Sequence, residues 1–176
     1  MDLLLHLRKR HLDIELHRPL IDEEAGIITF LLFNLSGSIV GYQQYRPNGE
    51  KCRQNDPKQG RYFTYKRKGA IALFGIESLH LTPNVVVITE GIFDAVRMTE
   101  KGVSALAVLC NDPNSDTKSF LRSLSRNIIS VCDNDSAGKN LASVCDLAIL
   151  TKDKDLGDSD DLFVNEIVDI ALKFKR

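Results

Sequence analysis

Three acidic groups in this 176-residue chain share one setting: each follows a short apolar run. Glu90 and Asp94 stand in VVVITEGIFDA, Asp133 and Asp135 in IISVCDNDSAGK, and Asp158, Asp160 and Asp161 in LGDSDDLF, soon after LAIL. Asp94 lies four residues after Glu90, one helical turn on and on the same side. Asp133 and Asp135 are two residues apart on an extended-to-turn segment, so both carboxylates reach one side of a strand tip. Ser136, Ala137 and Gly138 leave room there and open a helix whose N-terminus favours anions. Carboxylates gathered on one edge repel each other unless a cation joins them. Oxygen ligands of this kind suit Mg²⁺, which keeps water and substrate phosphates as its remaining ligands. The pattern predicts a divalent-metal site where phosphate arrives.

Other uses of such aspartates exist. A DxD at a strand end also serves as a cap and a solvated turn. DNDSAG begins like an EF-hand loop, but Ala137 stands at its fifth position and Val144 at its twelfth, where a bidentate Glu is needed. Phosphatases of the haloacid dehalogenase type carry DxD after their first strand, commonly with Thr or Val at the place of Ala137. Here the motif follows a third strand. Three acidic motifs at strand ends favour the metal site over each of these.

The elements that must position these groups are legible from residue 84 onward. NVVVIT, VSALAVL, NIISVC and LAIL are apolar runs, and helical patterns separate them: IFDAVRMTEKG, NSDTKSFLRSLSR with Asn114 or Ser115 as cap, SAGKNLASVC and DDLFVNEIVDIALKFKR. Alternating strands and helices, with strands apolar on both faces, predict a parallel sheet sandwiched by helices. Ligands bind such sheets at the carboxyl ends of the strands. Upstream, MDLLLHLRKRHL predicts a short amphipathic helix. GIITFLLFN and SIVGYQQYR predict a hairpin joined by LSGS. Residues 47–61 predict a polar loop, and YFTYKRKGAIALFGIESL a strand or irregular segment followed by a short helix. The expected division is a small basic lobe over 1–82 and an α/β domain over 83–176.

Net charge is −1, but it is unevenly spread: residues 1–88 carry +3 and residues 89–176 carry −4. A basic front and an acidic back suit a protein that handles polyanions with the help of a metal. Residues 46–68 hold eight Lys and Arg against Glu50 and Asp56, with Tyr45, Tyr62, Phe63 and Tyr65 interleaved. Cations track phosphates and aromatic faces stack bases. Cys52, Cys110, Cys132 and Cys145 form no CxxC pair and have no histidine at finger spacing, which argues against structural zinc or a disulfide framework. Cys132 and Cys145 read as buried thiols. No apolar run is long enough to span a bilayer, so the expected setting is cytoplasmic, with no membrane partner.

The motifs resemble the Toprim domain shared by topoisomerases and primases. EGIFDA is similar to the EGxxD motif of bacterial and phage primases, CDNDSAGK to their DxDxAG[RK], and GDSDDLF to their late DPDDL, with Ser159 in place of Pro. Upstream, IITFLLFNLSGSIVGYQQYRP and NDPKQGRYFTYKRKGAIALFGIES resemble the primase segment that precedes Toprim. The likeness runs over about residues 25–165. It implies a Toprim, Rossmann-like parallel sheet with flanking helices, preceded by a small α+β lobe resembling a shortened primase polymerase subdomain. It implies Glu90 as the general acid/base or as a residue that helps place a second metal, Asp133 and Asp135 as the main Mg²⁺ or Mn²⁺ ligands, and Asp94, Asp158 and Asp160 as further members of the acidic cluster. Arg53, Arg61, Lys66, Arg67, Lys68 and Lys139 would contact nucleic acid or nucleotide.

The activity this resemblance implies is nucleotidyl transfer: a 3′-hydroxyl attacks an α-phosphate and pyrophosphate leaves. Partners would be single-stranded DNA or RNA, nucleoside triphosphates and a replicative helicase, in a host, phage or mobile-element replication system. No GxxxxGK[ST] motif is present, and the primase zinc module is not found in the cysteine spacing. Toprim domains also occur in nucleases, where the same site activates water. A metal-dependent nuclease and a non-catalytic nucleic-acid-binding replication factor therefore stand beside the primase reading.

Overall fold

The computed structural model describes residues 1–51, 56–109, 113–133, 136–151 and 155–175, and gives the backbone alone at 133, 136 and 137. The chain opens with helix α1 (Leu3–Lys9), capped by the Asp2 carboxylate, which accepts the Leu5 N–H at 2.8 Å. Leu3 and Leu7, one turn apart, are its buried side. A single-turn helix α2 (Ile14–His17) and a three-residue strand β1 (Leu20–Asp22) follow. Neither is long enough to show a period in the sequence.

Strands β2 (Ile27–Phe33), β3 (Ile39–Tyr45) and β4 (Tyr62–Lys66) complete a four-stranded antiparallel sheet in the order β1-β2-β3-β4. The β2–β3 hairpin closes over Asn34–Ser38, where the Asn34 side chain accepts the Ser38 N–H at 2.9 Å. Alternation sorts the residues of β2 by face. Ile28, Phe30 and Leu32 are buried, whereas Ile27, Thr29, Leu31 and Phe33 are only half-buried on the opposite side. The expected short helix after β4 is a 3₁₀ turn, Ile76–His80.

The second sheet is parallel. Strands β5 (Val85–Thr89), β6 (Ala105–Ala107), β7 (Asn127–Asp133) and β8 (Leu147–Thr151) lie in the order β6-β5-β7-β8. Helices α3 (Ile92–Glu100), α4 (Ser115–Ser123) and α5 (Ser136–Ala142) make the crossovers, and α6 (Asp161–Lys173) closes the domain. Asn114 caps α4 by accepting the Thr117 N–H. All five residues of β5 are buried, as befits a central strand covered on both faces. Val85 and Val87 face one apolar cluster, with α3 and α6. Val86 and Ile88 face another, with Leu121 of α4 and Leu141 of α5. This is a mixed α/β fold with a helix-flanked parallel sheet.

The two sheets share the first of these clusters. It runs from Leu3, Leu7, Ile28, Phe30 and Tyr45 to Val85, Phe93, Ala105 and Ile167. Phe93 of α3 is the contact point: Phe30 meets it edge-on at 5.9 Å and Tyr45 at 5.0 Å between ring centres. Residues 73 and 74 join the sheets through backbone as well, Leu73 bridging to Phe33 and Phe74 to Ala107. Among the described residues, no helix is long and apolar enough to cross a membrane.

Candidate functional site

In the parallel sheet, the connection from β5 crosses to β6 on one side and that from β7 crosses to β8 on the other. β5 and β7 are neighbours, so their carboxyl ends flank the point where the winding reverses, and a crevice opens there. Thr89, the last residue of β5, is fully buried, and its hydroxyl donates to the Gly91 carbonyl at 2.9 Å. This shapes the turn that carries Glu90. Val108 and Leu109 donate their N–H groups to the carbonyls of Thr89 and Glu90, both at 3.0 Å, so the chain after β6 fixes the same turn from the other side. Leu109 does this with φ at +56°, a conformation costly for a branched side chain and concentrated at functional sites.

A cleft of about 420 Å³ occupies this position. Glu90, Asp94 and Asp155 bring carboxylates to its wall, and Val131, Cys132 and Thr151 supply the ends of β7 and β8. Asp133 is the last residue of β7, in register with Thr151, so its backbone continues this wall. Arg10, Gln43 and Tyr62 reach in from the N-terminal part of the chain. The spacing of the EGxxD motif has a steric basis here. A Cβ on Gly91 would sit 2.7 Å from Asp94 Oδ2, so only glycine leaves the carboxylate its place. Asp94 Oδ1 in turn accepts the Gly157 N–H at 2.8 Å, tying α3 to the 3₁₀ turn Leu156–Asp158.

The expected site residues therefore fall into several groups. Glu90 and Asp94 share the cleft, and the Asp133 backbone adjoins it. Asp158 pairs with Arg10 Nη1 at 2.5 Å. Asp160 is the cap of α6 and accepts the Phe163 N–H at 2.9 Å. Neither Asp158 nor Asp160 is among the described cleft-lining residues. Arg61 stands just before β4, Lys66 is its last residue, Arg67 and Lys68 follow it, and Lys139 is exposed on α5. Asp135 and Arg53 lie outside the described residues, as does the Asp133 side chain. Among the described residues, no three His, Cys, Asp or Glu side chains gather closely enough to hold an ion by themselves. The donors that the cleft does present are carboxylate oxygens, the chemistry a hard divalent cation requires. In that respect the residues fit Mg²⁺ or Mn²⁺.

Several cleft residues carry no signal in the sequence motifs. Asp155 precedes the LGDSDDLF stretch and joins the wall from the residue just before the 3₁₀ turn Leu156–Asp158. Arg10 arrives from helix α1; its guanidinium lies 4.3 Å over the Phe93 ring and brings positive charge to an acidic cleft. Tyr62 stacks on Tyr45 at 5.0 Å, and the Tyr45 hydroxyl bonds to His6 Nε2 at 3.0 Å. Burial pushes the Tyr62 phenol up to about 12, with help from Tyr45 beside it, and raises that of Tyr45 as well. Just outside the cleft, fully buried Arg97 donates to Glu100, to Asp161 at 2.7 Å and to the Ser159 carbonyl at 3.2 Å. Arg97, then Lys101, holds the Asp161 carboxyl below the usual carboxylate range.

Comparison with known proteins agrees with this architecture. A family model described as Toprim-like matches residues 87–156. The DNA primase of Thermotoga maritima is 28% identical over 155 residues, which cover 83% of this chain. They cover only 27% of that primase, so the chain spans a minor part of its relative. The catalytic domain of DnaG primase bound to single-stranded DNA superimposes with a TM-score of 0.68 at 15% identity, covering 94% of this chain and 72% of that one. The primase fragment of the bacteriophage T7 primase-helicase protein gives 0.63 at 15% identity, covering 94% and 73%. At such identities the structural likeness is one of fold. Motif, sequence relative and fold agree: residues 87–156 are Toprim-like, and the chain is similar to DNA primases in sequence and in fold.

Proposed function

We propose that the cleft is a metal-dependent nucleotidyl-transfer site that makes or extends short RNA on single-stranded DNA. The observation that carries this reading is the convergence of Glu90, Asp94 and the Asp133 strand tip on one crevice at the switch point. Asp133 and Asp135 would hold Mg²⁺ or Mn²⁺, with Asp94 and Asp155 within the same wall. When bound, the metal lowers the pKa of an attacking hydroxyl and neutralises charge on the phosphates. Glu90, on the neighbouring strand tip, would accept the proton that the 3′-hydroxyl loses. Asp94 would act largely through position, since its bond to the Gly157 N–H fixes the far wall. Arg10 would meet phosphate oxygens that the carboxylates alone would repel. Asp158 and Asp160 would then serve the architecture of that wall more than the metal. Tyr62 lines the cleft and Lys66 lies further along the same face of β4, where template or triphosphate would enter.

The test is one gel. The protein is incubated with single-stranded DNA, labelled ribonucleotides and Mg²⁺ or Mn²⁺, beside end-labelled DNA and RNA, with Glu90→Gln and Asp133→Asn in parallel. Short labelled products that fall by about two orders of magnitude or more in both variants are expected. Shortened end-labelled strands without synthesis would replace this reading with a nuclease. Strand binding with neither product would replace it with an accessory factor.

A further inference from the structure

The basic and aromatic residues of segment 61–67 do not act on one surface, because β4 is an edge strand whose alternation divides them. Tyr62 pairs with Tyr45 on the side that faces the cleft. Phe63 and Tyr65 pair with Gln44 and Tyr42 on the opposite face. There Tyr42 contacts Tyr65 at 5.5 Å and Phe63 at 6.3 Å between ring centres, which makes a ladder of three rings across β3 and β4. Leu31 continues it on β2, opposite Tyr42. Tyr65 is 54% exposed, while the rings beside it are half-buried.

Arginines stand at both ends of this ladder. At one end Arg46 follows Gln44 in the alternation and donates to its side chain at 3.1 Å; Arg61 lies across the strand gap, its backbone N–H donating to the Glu50 carbonyl, its own carbonyl accepting the Arg46 N–H, and its Nε donating to the Gly49 carbonyl at 3.0 Å. At the other, the alternation of β4 continues to exposed Arg67, followed by Lys68. Arg61 and Arg67 are six residues apart, roughly 20 Å along an extended strand. Among the described strand residues, the acid that alternation puts on this face is Asp22, three strands away on β1; Glu50 adjoins the Arg61 end through its backbone. Open aromatic faces bracketed by guanidinium groups complement a polyanion carrying flat bases better than an apolar protein surface.

We infer that the outer face of the antiparallel sheet, with Tyr42, Phe63 and Tyr65 between Arg46/Arg61 and Arg67, is a base-stacking platform for single-stranded nucleic acid, separate from the cleft. This rests on the reading that the chain handles single strands, and it adds which face they lie on. A strand seated there would pass over the β4 edge to reach Tyr62 and the cleft.

The test measures affinity for a fluorescein-labelled oligo(dT) by anisotropy, for the full chain and for Tyr65→Leu, Tyr65→Phe and Phe63→Leu, with melting curves alongside. Leucine keeps apolar bulk and removes stacking; Tyr65 is exposed, so its change spares the core. Loss of affinity by about tenfold or more in the two leucine variants, with Tyr65→Phe near the parent, is the expected result. Ultraviolet crosslinking of a bromodeoxyuridine-containing strand to the peptide bearing Phe63 and Tyr65 is expected too. Unchanged affinity in both leucine variants overturns the platform and leaves strand binding standing. No binding by the parent chain overturns strand binding itself. If sedimentation shows a dimer that Tyr65→Leu dissociates, the face is a self-interface and the platform is also overturned.

Discussion

Tyr62 shows how one side chain serves two surroundings. Its ring is 45% exposed, yet its phenol is desolvated against Tyr45 near the cleft. The raised pKa means the folded chain holds this proton more tightly than the unfolded chain does. Its contribution to stability is therefore complete below about pH 10, the unfolded value, and is lost as pH rises towards about 12. Partial exposure screens the effect and keeps it small. A spectrophotometric titration checks the assignment. Of the four tyrosines, two are expected to ionise late, and Tyr62→Phe to remove one of these; four tyrosines titrating together near 10 would contradict it. Cys145 is only half-buried, less enclosed than its apolar setting suggests, yet burial still pushes its thiol up to about 12. In the native chain Cys145 is expected to resist alkylation at pH 8 and to react once urea unfolds it, as mass spectrometry of the labelled peptide would report.

Between elements, the far wall of the cleft is held by two devices. Asp94 accepts the Gly157 N–H, and Arg97 gathers Glu100, Asp161 and the Ser159 carbonyl. Both anchor the turn before α6 to α3, so α3 sets the position of the whole GDSDDLF stretch. Arg97 is 1% exposed, whereas Glu100 and Asp161 keep access to water. Arg97→Met should therefore cost about 2–3 kcal/mol, below the range for breaking a fully buried pair, because the acids left behind can rehydrate. Urea unfolding measures this. A change under about 0.5 kcal/mol would mean that the pair contributes little to the wall. The sequence places Arg97 within an amphipathic helix but gives no sign that it faces inward. Its partners lie up to 64 residues away and are chosen by the fold.

At the scale of the whole molecule, the strands of the parallel sheet were legible because each is a β-branched or apolar run bounded by turn residues, and periodicity survives without tertiary information. The EGxxD turn was legible because its spacing is a local requirement: Gly91 makes room for Asp94 three residues on. Strand order was not, since nothing in NVVVIT or NIISVC says that they are neighbours. Yet that order puts Glu90 next to the Asp133 strand tip. Arg10 reaches Asp158 across 148 residues of chain, and Asp155 enters the wall through a turn, so neither could be read from spacing. The antiparallel and parallel sheets share a core through Phe30, Tyr45 and Phe93. A single cooperative unfolding transition by calorimetry is expected, and Phe30→Ala should lower stability by about 3–5 kcal/mol while keeping it single. Two separated transitions would show that the sheets fold independently.

The central claim is that the strand tips at the switch point hold a divalent cation. Mn²⁺ binding to the full chain, followed by electron paramagnetic resonance of the free ion, tests it without any assay of activity. The account predicts saturable binding that weakens at least tenfold in Asp133→Asn and in Asp135→Asn, with melting temperatures near the parent's. Binding that is equally tight in the parent and both variants would place the ion elsewhere and contradict the account.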